Sequence, residues 1–229
     1  MPDIYAGTSD THFRMDDEST WAGARDVATA ETISTTQSYY SGAVKIALNN
    51  AGNKYDLYRY LLAFDTSGIT EKPGSATLKL HGYSYNNASI IIVKVNAGAT
   101  GNSGTDFVAG DYGEVASTAY SSEITSWSAS GYNEITLNSA ALSDMSSLSE
   151  FKIAVIDYNY DYSDTAPYPG LTRRTGMYFA NNPSTSKDPY ISYVEGSSGY
   201  GHSVSGVASS NVASVLGVAT ANIAKVNGV

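Results

Sequence analysis

The segment Asp157-Tyr158-Asn159-Tyr160-Asp161-Tyr162-Ser163-Asp164 carries the most pointed chemistry in this chain. Oxygen-bearing side chains at Asp157, Asn159 and Asp161 alternate as in the first half of a calcium loop, where hard oxygens converge on the ion. Such a loop needs Gly at position six for its sharp turn and a bidentate Glu at position twelve. Here those positions hold Tyr162 and Tyr168. Read as a strand, the same alternation puts Asp157, Asn159 and Asp161 on one face and Tyr158, Tyr160 and Tyr162 on the other. The segment then becomes a solvated strand end leading into the loop over 164–169. Calcium at Asp157, Asn159 and Asp161 is the one cofactor the sequence offers, and the expectation is a domain that folds without metal.

Tyr158, Tyr160 and Tyr162, taken with Tyr83 and Tyr85, could form an aromatic platform for a glycan. Sugar rings present apolar C–H faces, and Tyr adds a hydroxyl at low entropic cost. The competing expectation is cross-strand tyrosine pairs that only stabilise an exposed sheet face. Other residues invite chemistry less. Gly201-His202-Ser203-Val204-Ser205 has Ser205 where a nucleophile elbow requires Gly. His12, His81 and His202 lack metal-ligand spacing. Asp65, followed by Thr66, Ser67 and Gly68 at a strand end, reads as a turn former. No acidic pair has glycosidase features. The expectation is a protein that is not an enzyme.

The elements that would position these residues are strands. Tyr58, Tyr60 and Leu62 alternate with Leu61 and Ala63 on the way to Phe64, and Ala76, Leu78 and Leu80 alternate with Thr77, Lys79 and His81. Ile90 to Val95 reads as a strand buried on both faces. Ile135 and Leu137 flank Thr136; Phe151, Ile153 and Val155 alternate with Lys152 and Ala154; Met177 with Phe179, then Tyr190 to Val194, supply two late strands. Turn-forming pieces lie between: 49–53, 98–104, 128–131 and 181–183. The one helical candidate is Ala140 to Leu148, with Leu142, Met145 and Leu148 at three-residue spacing. This pattern predicts an all-β, antiparallel, jelly-roll-like sandwich over 1–195.

A Gly/Ser-rich linker over 196–205 leads to a different pattern in the tail, 206–229. Gly206-Val207-Ala208 returns as Gly217-Val218-Ala219 and again as Gly228-Val229, a period of eleven. Asn211 and Asn222, Val212 and Ile223, Val215 and Val226 keep the same register. Asn can cap a short helical turn and Gly can close it, so each unit is expected to present an apolar ridge: Val207, Val212 and Val215, then Val218, Ile223 and Val226. Neither unit could bury its ridge alone, which predicts docking on a neighbour or self-association to a trimer. The bland alternative is a low-complexity tail.

Over 229 residues, 13 Lys and Arg stand against 22 Asp and Glu, a net charge of −9. An acidic chain without a basic run repels the phosphate backbone, which argues against nucleic acid, and anionic membrane surfaces are disfavoured likewise. The longest dense apolar patch, Ile90-Ile91-Ile92-Val93, is strand-sized, against the ~20 residues of a spanning helix. With no Cys the chain has no disulfide staples. Nineteen Tyr against 5 Phe and 2 Trp, 21 Gly and only 15% charged residues suit short strands with neutral polar outer faces, a composition typical outside cells. Yet Met1-Pro2-Asp3-Ile4-Tyr5 has no signal-peptide pattern. A virion protein, made in the host cytoplasm and released by lysis, fits both facts; removal of a signal peptide is the alternative.

The run Tyr58-Arg59-Tyr60-Leu61-Leu62-Ala63-Phe64-Asp65-Thr66-Ser67-Gly68-Ile69, with Ser75-Ala76-Thr77-Leu78-Lys79-Leu80, resembles the core of the DNRLRE-type, carbohydrate-binding-module-like β-sandwich domain. The segments 128–137, 176–180 and 186–191 are similar to the closing strands of that module. Its opening Trp21-Ala22-Gly23-Ala24-Arg25-Asp26 is similar to phage and environmental relatives, and 221–229 resembles short repeats of phage structural proteins. The resemblance covers most of the chain and implies the sandwich fold. It implies adhesive, glycan-binding or purely structural settings alike, and no ligand residues transfer by position. The expected role is a virion surface component, such as a head fibre, decoration protein or tail-fibre subunit. Its expected partners are copies of itself, other virion proteins and a cell-surface glycan. A secreted bacterial carbohydrate-binding module is the alternative.

Overall fold

The computed structural model describes residues 1–49, 52–96, 98–101 and 105–196, with the backbone of 214–215 and 218–219. Twelve strands pair antiparallel throughout and form a sandwich. The smaller layer contains β1 (Asp3–Tyr5), β12 (Tyr190–Val194), the first half of β6 (Ser75–Asn86) and β9 (Tyr132–Thr136). The larger layer runs from β11 (Thr172–Tyr178) through β4 (Tyr39–Asn49), β5 (Lys54–Asp65), β10 (Glu150–Asp157) and β7 (Ile90–Val95) to β8 (Val115–Ala119). Two further strands join it: β2 (Thr11–Glu18) pairs with β5, and β3 (Thr32–Ser34) with β2. The second half of β6 pairs with β11, so β6 belongs to both layers.

Period-two alternation determines what each strand buries. Leu78 and Leu80 on β6, Ile135 on β9 and Ile191 on β12 meet Leu62 and Phe64 on β5, Ile92 on β7 and Ile153 on β10 in the core between the layers. The opposite face of the larger layer is buried as well. Leu57 and Leu61, Ile91 and Val93, Ala154 and Ile156 point there, against Phe107, Tyr112 and Ala24 from the covering segments. This explains the apolar run Ile90-Ile91-Ile92-Val93, whose residues alternate between two cores.

Two α-helices complete the fold among the described residues. The predicted one is α2 (Ser139–Ser147), where Asn138 Oδ1 accepts from the amides of Ala140 and Ala141 at 3.0 and 3.1 Å. Its Leu142 and Met145 pack into the inter-layer core. The expectation of a single helix needs correction, because α1 (Trp21–Arg25) forms one turn capped by Thr20, whose Oγ1 accepts from Gly23 N at 3.0 Å. Its five residues are too few to display an apolar period. Ala24 from α1 reaches the second core.

The tail needs a second correction. Ser214–Val215 (β13) and Val218–Ala219 (β14) pair antiparallel, Ser214 with Ala219 and Val215 with Val218, where short helical turns were expected. The β-branched Val215 and Val218 favour strand over helix, and they flank two residues that include a Gly, the spacing of a tight hairpin. Val207, Val212, Ile223 and Val226 lie outside the described residues.

Candidate functional site

An outer face that runs from the smaller layer across β6 onto the ends of β11 and β4 collects aromatic side chains because each of these strands points its alternate set inward. With Ala76, Leu78 and Leu80 committed to the core, β6 turns Lys79, His81, Tyr83 and Tyr85 outward. Ile191 inward leaves Tyr190 outward, Ile135 inward leaves Tyr132 outward, and Met177 inward leaves Tyr178 outward. Strand register then brings these residues together. Tyr5 lies opposite Tyr190, His81 opposite Tyr132, and Tyr178 opposite Tyr39.

The rings touch in an unbroken series. Tyr5 stacks on Tyr190 at 5.3 Å between centroids, Tyr190 meets Tyr132 edge-on at 5.2 Å, and Tyr132 meets His81 at 5.1 Å. His81 meets Tyr178 at 5.1 Å, Tyr178 meets Tyr83 at 5.5 Å, and Tyr83 packs on Tyr39 at 4.4 Å. These separations fall in the range where aromatic pairs attract. The series crosses β1, β12, β9, β6, β11 and β4, and its ends are open to solvent: Tyr5 is 52% exposed, Tyr39 47% and Tyr83 38%.

Two local backbone features make this face possible. A β-bulge at Gly176 shifts the register of β11 against both β4 and β6 just before Tyr178. A Cβ on Gly176 would sit 2.7 Å from Tyr40 O. Between His81 and Tyr83, Gly82 admits the backbone of Ser128, whose carbonyl would lie 1.8 Å from any added Cβ. Only Gly permits that approach.

Lysines and hydroxyls border the rings. Lys187 Nζ lies 4.1 Å from the centroid of Tyr178. Lys79 Nζ lies 5.7 Å from Tyr190 and 2.8 Å from Glu134 Oε1. The Tyr132 hydroxyl points at the carbonyls of Ser186 and Asp188, 3.1 Å from each, and Tyr85 Oη donates to Thr125 O at 3.1 Å. Burial, helped by Tyr190 and Asp188, pushes the Tyr132 phenol up to about 12. The neighbouring Tyr39, together with burial, raises Tyr83. Tyr132 and Tyr83 are therefore held as neutral phenols with a hydroxyl each to donate.

The other residues singled out from the sequence go elsewhere, so the five-tyrosine platform divides. Tyr83 and Tyr85 belong to the outer face, whereas Tyr158, Tyr160 and Tyr162 pack against the second core. The strand expected at 157–161 ends at Asp157, and Tyr158–Tyr162 is a π-helical turn. Asp157 causes this by accepting from Tyr160 N at 2.9 Å with Oδ1, which curls the chain back on itself. The three oxygen-bearing residues therefore do not share one face. Tyr158 and Tyr162, four apart on the turn, stack at 5.6 Å.

Asp161 is buried beneath this turn and holds Arg59 with both oxygens: Nε donates to Oδ2 at 2.8 Å and Nη2 to Oδ1 at 2.7 Å. Arg59 also donates to Tyr112 O and Arg25 O, each at 3.1 Å, and lies over the Tyr112 ring at 4.2 Å. Arg25 Nε donates to Asp161 O at 2.8 Å. This latch ties β5, α1 and the π turn together, a structural task for Asp161, which looks chemical in the sequence. Among the described residues, no group of three or more His, Cys, Asp or Glu is arranged to hold a metal ion. Asp65 forms the expected turn, accepting from Ser67 N at 2.9 Å.

Sequence reading missed Tyr5, Tyr39, Tyr132, Tyr178 and Tyr190. The available signal was phase: Tyr132, Tyr178 and Tyr190 each precede or oppose a core residue by an odd number of positions. No protein-family model and no curated protein matches this chain.

Proposed function

We propose that this chain is a non-enzymatic surface component of a phage particle, a head fibre, decoration protein or tail-fibre subunit, that contacts a cell-surface polysaccharide through its outer tyrosine face. The observation that carries the reading is the unbroken series from Tyr5 to Tyr39, because sugar rings stack on aromatic faces and their hydroxyls pair with phenols. An extended row suits a polymer better than a single sugar, which would occupy one or two rings. The sandwich fold and the resemblance to carbohydrate-binding-module-like domains support the same reading. So does a composition poor in charge and rich in Tyr.

Binding is tested by titrating the protein with purified bacterial surface polysaccharides while following heat release. Tyr39→Ala with Tyr83→Ala should weaken binding at least tenfold, the order expected from losing two stacking contacts. Retention of full affinity by the double variant, or no binding across the polysaccharide panel, would sink the glycan reading. The second reading, a secreted bacterial glycan-binding module, draws on the same tyrosine face. Capsid, portal or tail genes beside this one favour the particle, and polysaccharide-degrading enzymes favour the module.

A further inference from the structure

Lys79 and Lys187 border the outer tyrosine face in different surroundings. Lys79 Nζ lies 2.8 Å from Glu134 Oε1, so its charge is matched at the surface. Lys187 belongs to no ion pair among the described residues, and its ammonium rests on the Tyr178 ring, 4.1 Å from the centroid. A ring face attracts a cation without neutralising it, which leaves the ammonium able to meet an anion. The next residue, Asp188, does not cancel this charge. It is 8% exposed, its Oδ1 is buried, and its charge acts on Asp10 and Tyr60 in the interior. In a chain of 22 acidic against 13 basic residues, an unmatched cation on this face runs against the overall balance.

Lys187 is also held in place. It ends a 3-10 turn, Thr185–Lys187, and the Tyr132 hydroxyl lies 3.1 Å from both flanking carbonyls, Ser186 O and Asp188 O. Tyr178, beneath the ammonium, touches Tyr39 at 5.6 Å and Tyr83 at 5.5 Å, two exposed phenols. A sugar stacked on Tyr39 or Tyr83 therefore has a positive charge one ring away. The row of rings also indicates which anion suits it. A uronic acid carries its carboxylate at the edge of the same ring that stacks, where a neighbouring ammonium can reach it. A phosphodiester stands between sugars and would interrupt a continuous stack.

We infer that Lys187 is a specificity-determining residue of this face and that its polysaccharide is acidic, a chain with uronic acid residues whose carboxylate pairs with the Lys187 ammonium while the sugar ring stacks on Tyr39 or Tyr83. The inference rests on the proposed glycan reading and adds the charge of the ligand to it. The net charge of −9 does not oppose such a contact. At about 0.15 M salt, charges beyond the Debye length of about 8 Å are largely screened, while a pair in contact is not.

The test is calorimetric titration at about 0.15 M salt with surface polysaccharides that contain uronic acid, each in native form and after reduction of its carboxylates to alcohols. The parent should bind a native polymer roughly two- to fivefold more tightly than the reduced one, the scale of an exposed ion pair. Lys187→Met keeps an apolar stem on the Tyr178 ring and removes the charge. It should bind both forms with the affinity the parent has for the reduced form, and Lys187→Arg should keep the parent's preference. Equal parent affinity for both forms, an equal loss by Lys187→Met on both forms, or binding confined to neutral polysaccharides would overturn the inference and leave the glycan reading standing. Absence of binding to every polysaccharide, acidic or neutral, would end both.

Discussion

Two tyrosine-rich regions of this molecule have similar composition and different duties. On the outer face, Tyr5, Tyr39, Tyr83, Tyr132, Tyr178 and Tyr190 stand on six strands, and only Tyr132 directs its hydroxyl deep into a neighbouring loop. At the π turn, Tyr158, Tyr160 and Tyr162 follow one another in sequence, lean on the second core, and cover a buried ion pair. The first region gives up burial to present rings. The second presents little and holds the covering segments to the sheet. Tyrosine count alone does not distinguish a binding face from a packed corner; what lies beneath the rings does.

The largest effect should come from breaking the latch. The Asp161 and Arg59 side chains are 1% and 7% exposed, so Asp161→Asn leaves a buried guanidinium without its counter-charge. Removing one partner of such a pair costs about 3–5 kcal/mol, roughly 10 °C in midpoint for a chain of this size. A loss no larger than that of an outer-face tyrosine would erase the contrast between the regions.

A pair of single variants sharpens the comparison. Tyr158→Ala should lower stability by about 1–2 kcal/mol, through lost core packing and the stack on Tyr162, and leave polysaccharide binding alone. Tyr83→Ala should cost under about 1 kcal/mol, the scale of cross-strand pairs, and weaken binding. The prediction fails if both variants move the same quantity.

A smaller effect tests the polar groups under the fold by pH. Burial lifts the Asp10 carboxyl from 3.8 to about 7, against the pull of hydrogen bonds from Tyr60 and Ala180. Burial likewise lifts Asp157 to about 7. The folded chain keeps protons that the unfolded chain releases, so stability from these groups is full below about pH 4 and is lost as pH rises through about 7. Burial drives His12 the other way, from 6.5 down to about 3, and its contribution is present above pH 6.5 and lost on acidification. Between about pH 6.5 and 8 the loss from the two carboxylates exceeds the remaining gain from His12, and the thermal midpoint should fall. Asp10→Asn should reduce that fall, whatever its effect on the midpoint itself. An unaltered slope would show that Asp10 is ionised throughout.

The smallest expected effect is that of a chelator. Both oxygens of Asp161 are held by Arg59 and one oxygen of Asp157 by the turn it caps, so heating with excess chelator should give the midpoint measured without it. A drop of several degrees would instead place calcium at Asp157, Asn159 and Asp161.

Much of the framework was legible because period-two alternation is a local property. Ala76-Leu78-Leu80, Phe151-Ile153-Val155 and Ile90–Val95 each announce their buried faces within one strand, and Leu142, Met145 and Leu148 announce α2 by their three-residue spacing. The π turn was not legible, since Asp157 to Asp161 alternates just as a strand would. Only the Asp157 hydrogen bond to Tyr160 N and the pull of Arg59, more than one hundred residues distant in sequence, decide that the chain curls. The outer face was legible in fragments: Tyr83 and Tyr85 could be seen as outward, but not their neighbours.

The sequence by itself determined which side chains of a strand share a face, because a side chain's phase relative to its neighbours along the strand does not depend on the partner strand. Tertiary structure alone decided which outward residues meet. Tyr5 finds Tyr190, Tyr132 finds His81, and Tyr39 finds Tyr178 across separations of 51 to 185 residues through register and a bulge at Gly176. Register is set by the summed fit of whole strands in two cores, a quantity that no single segment contains.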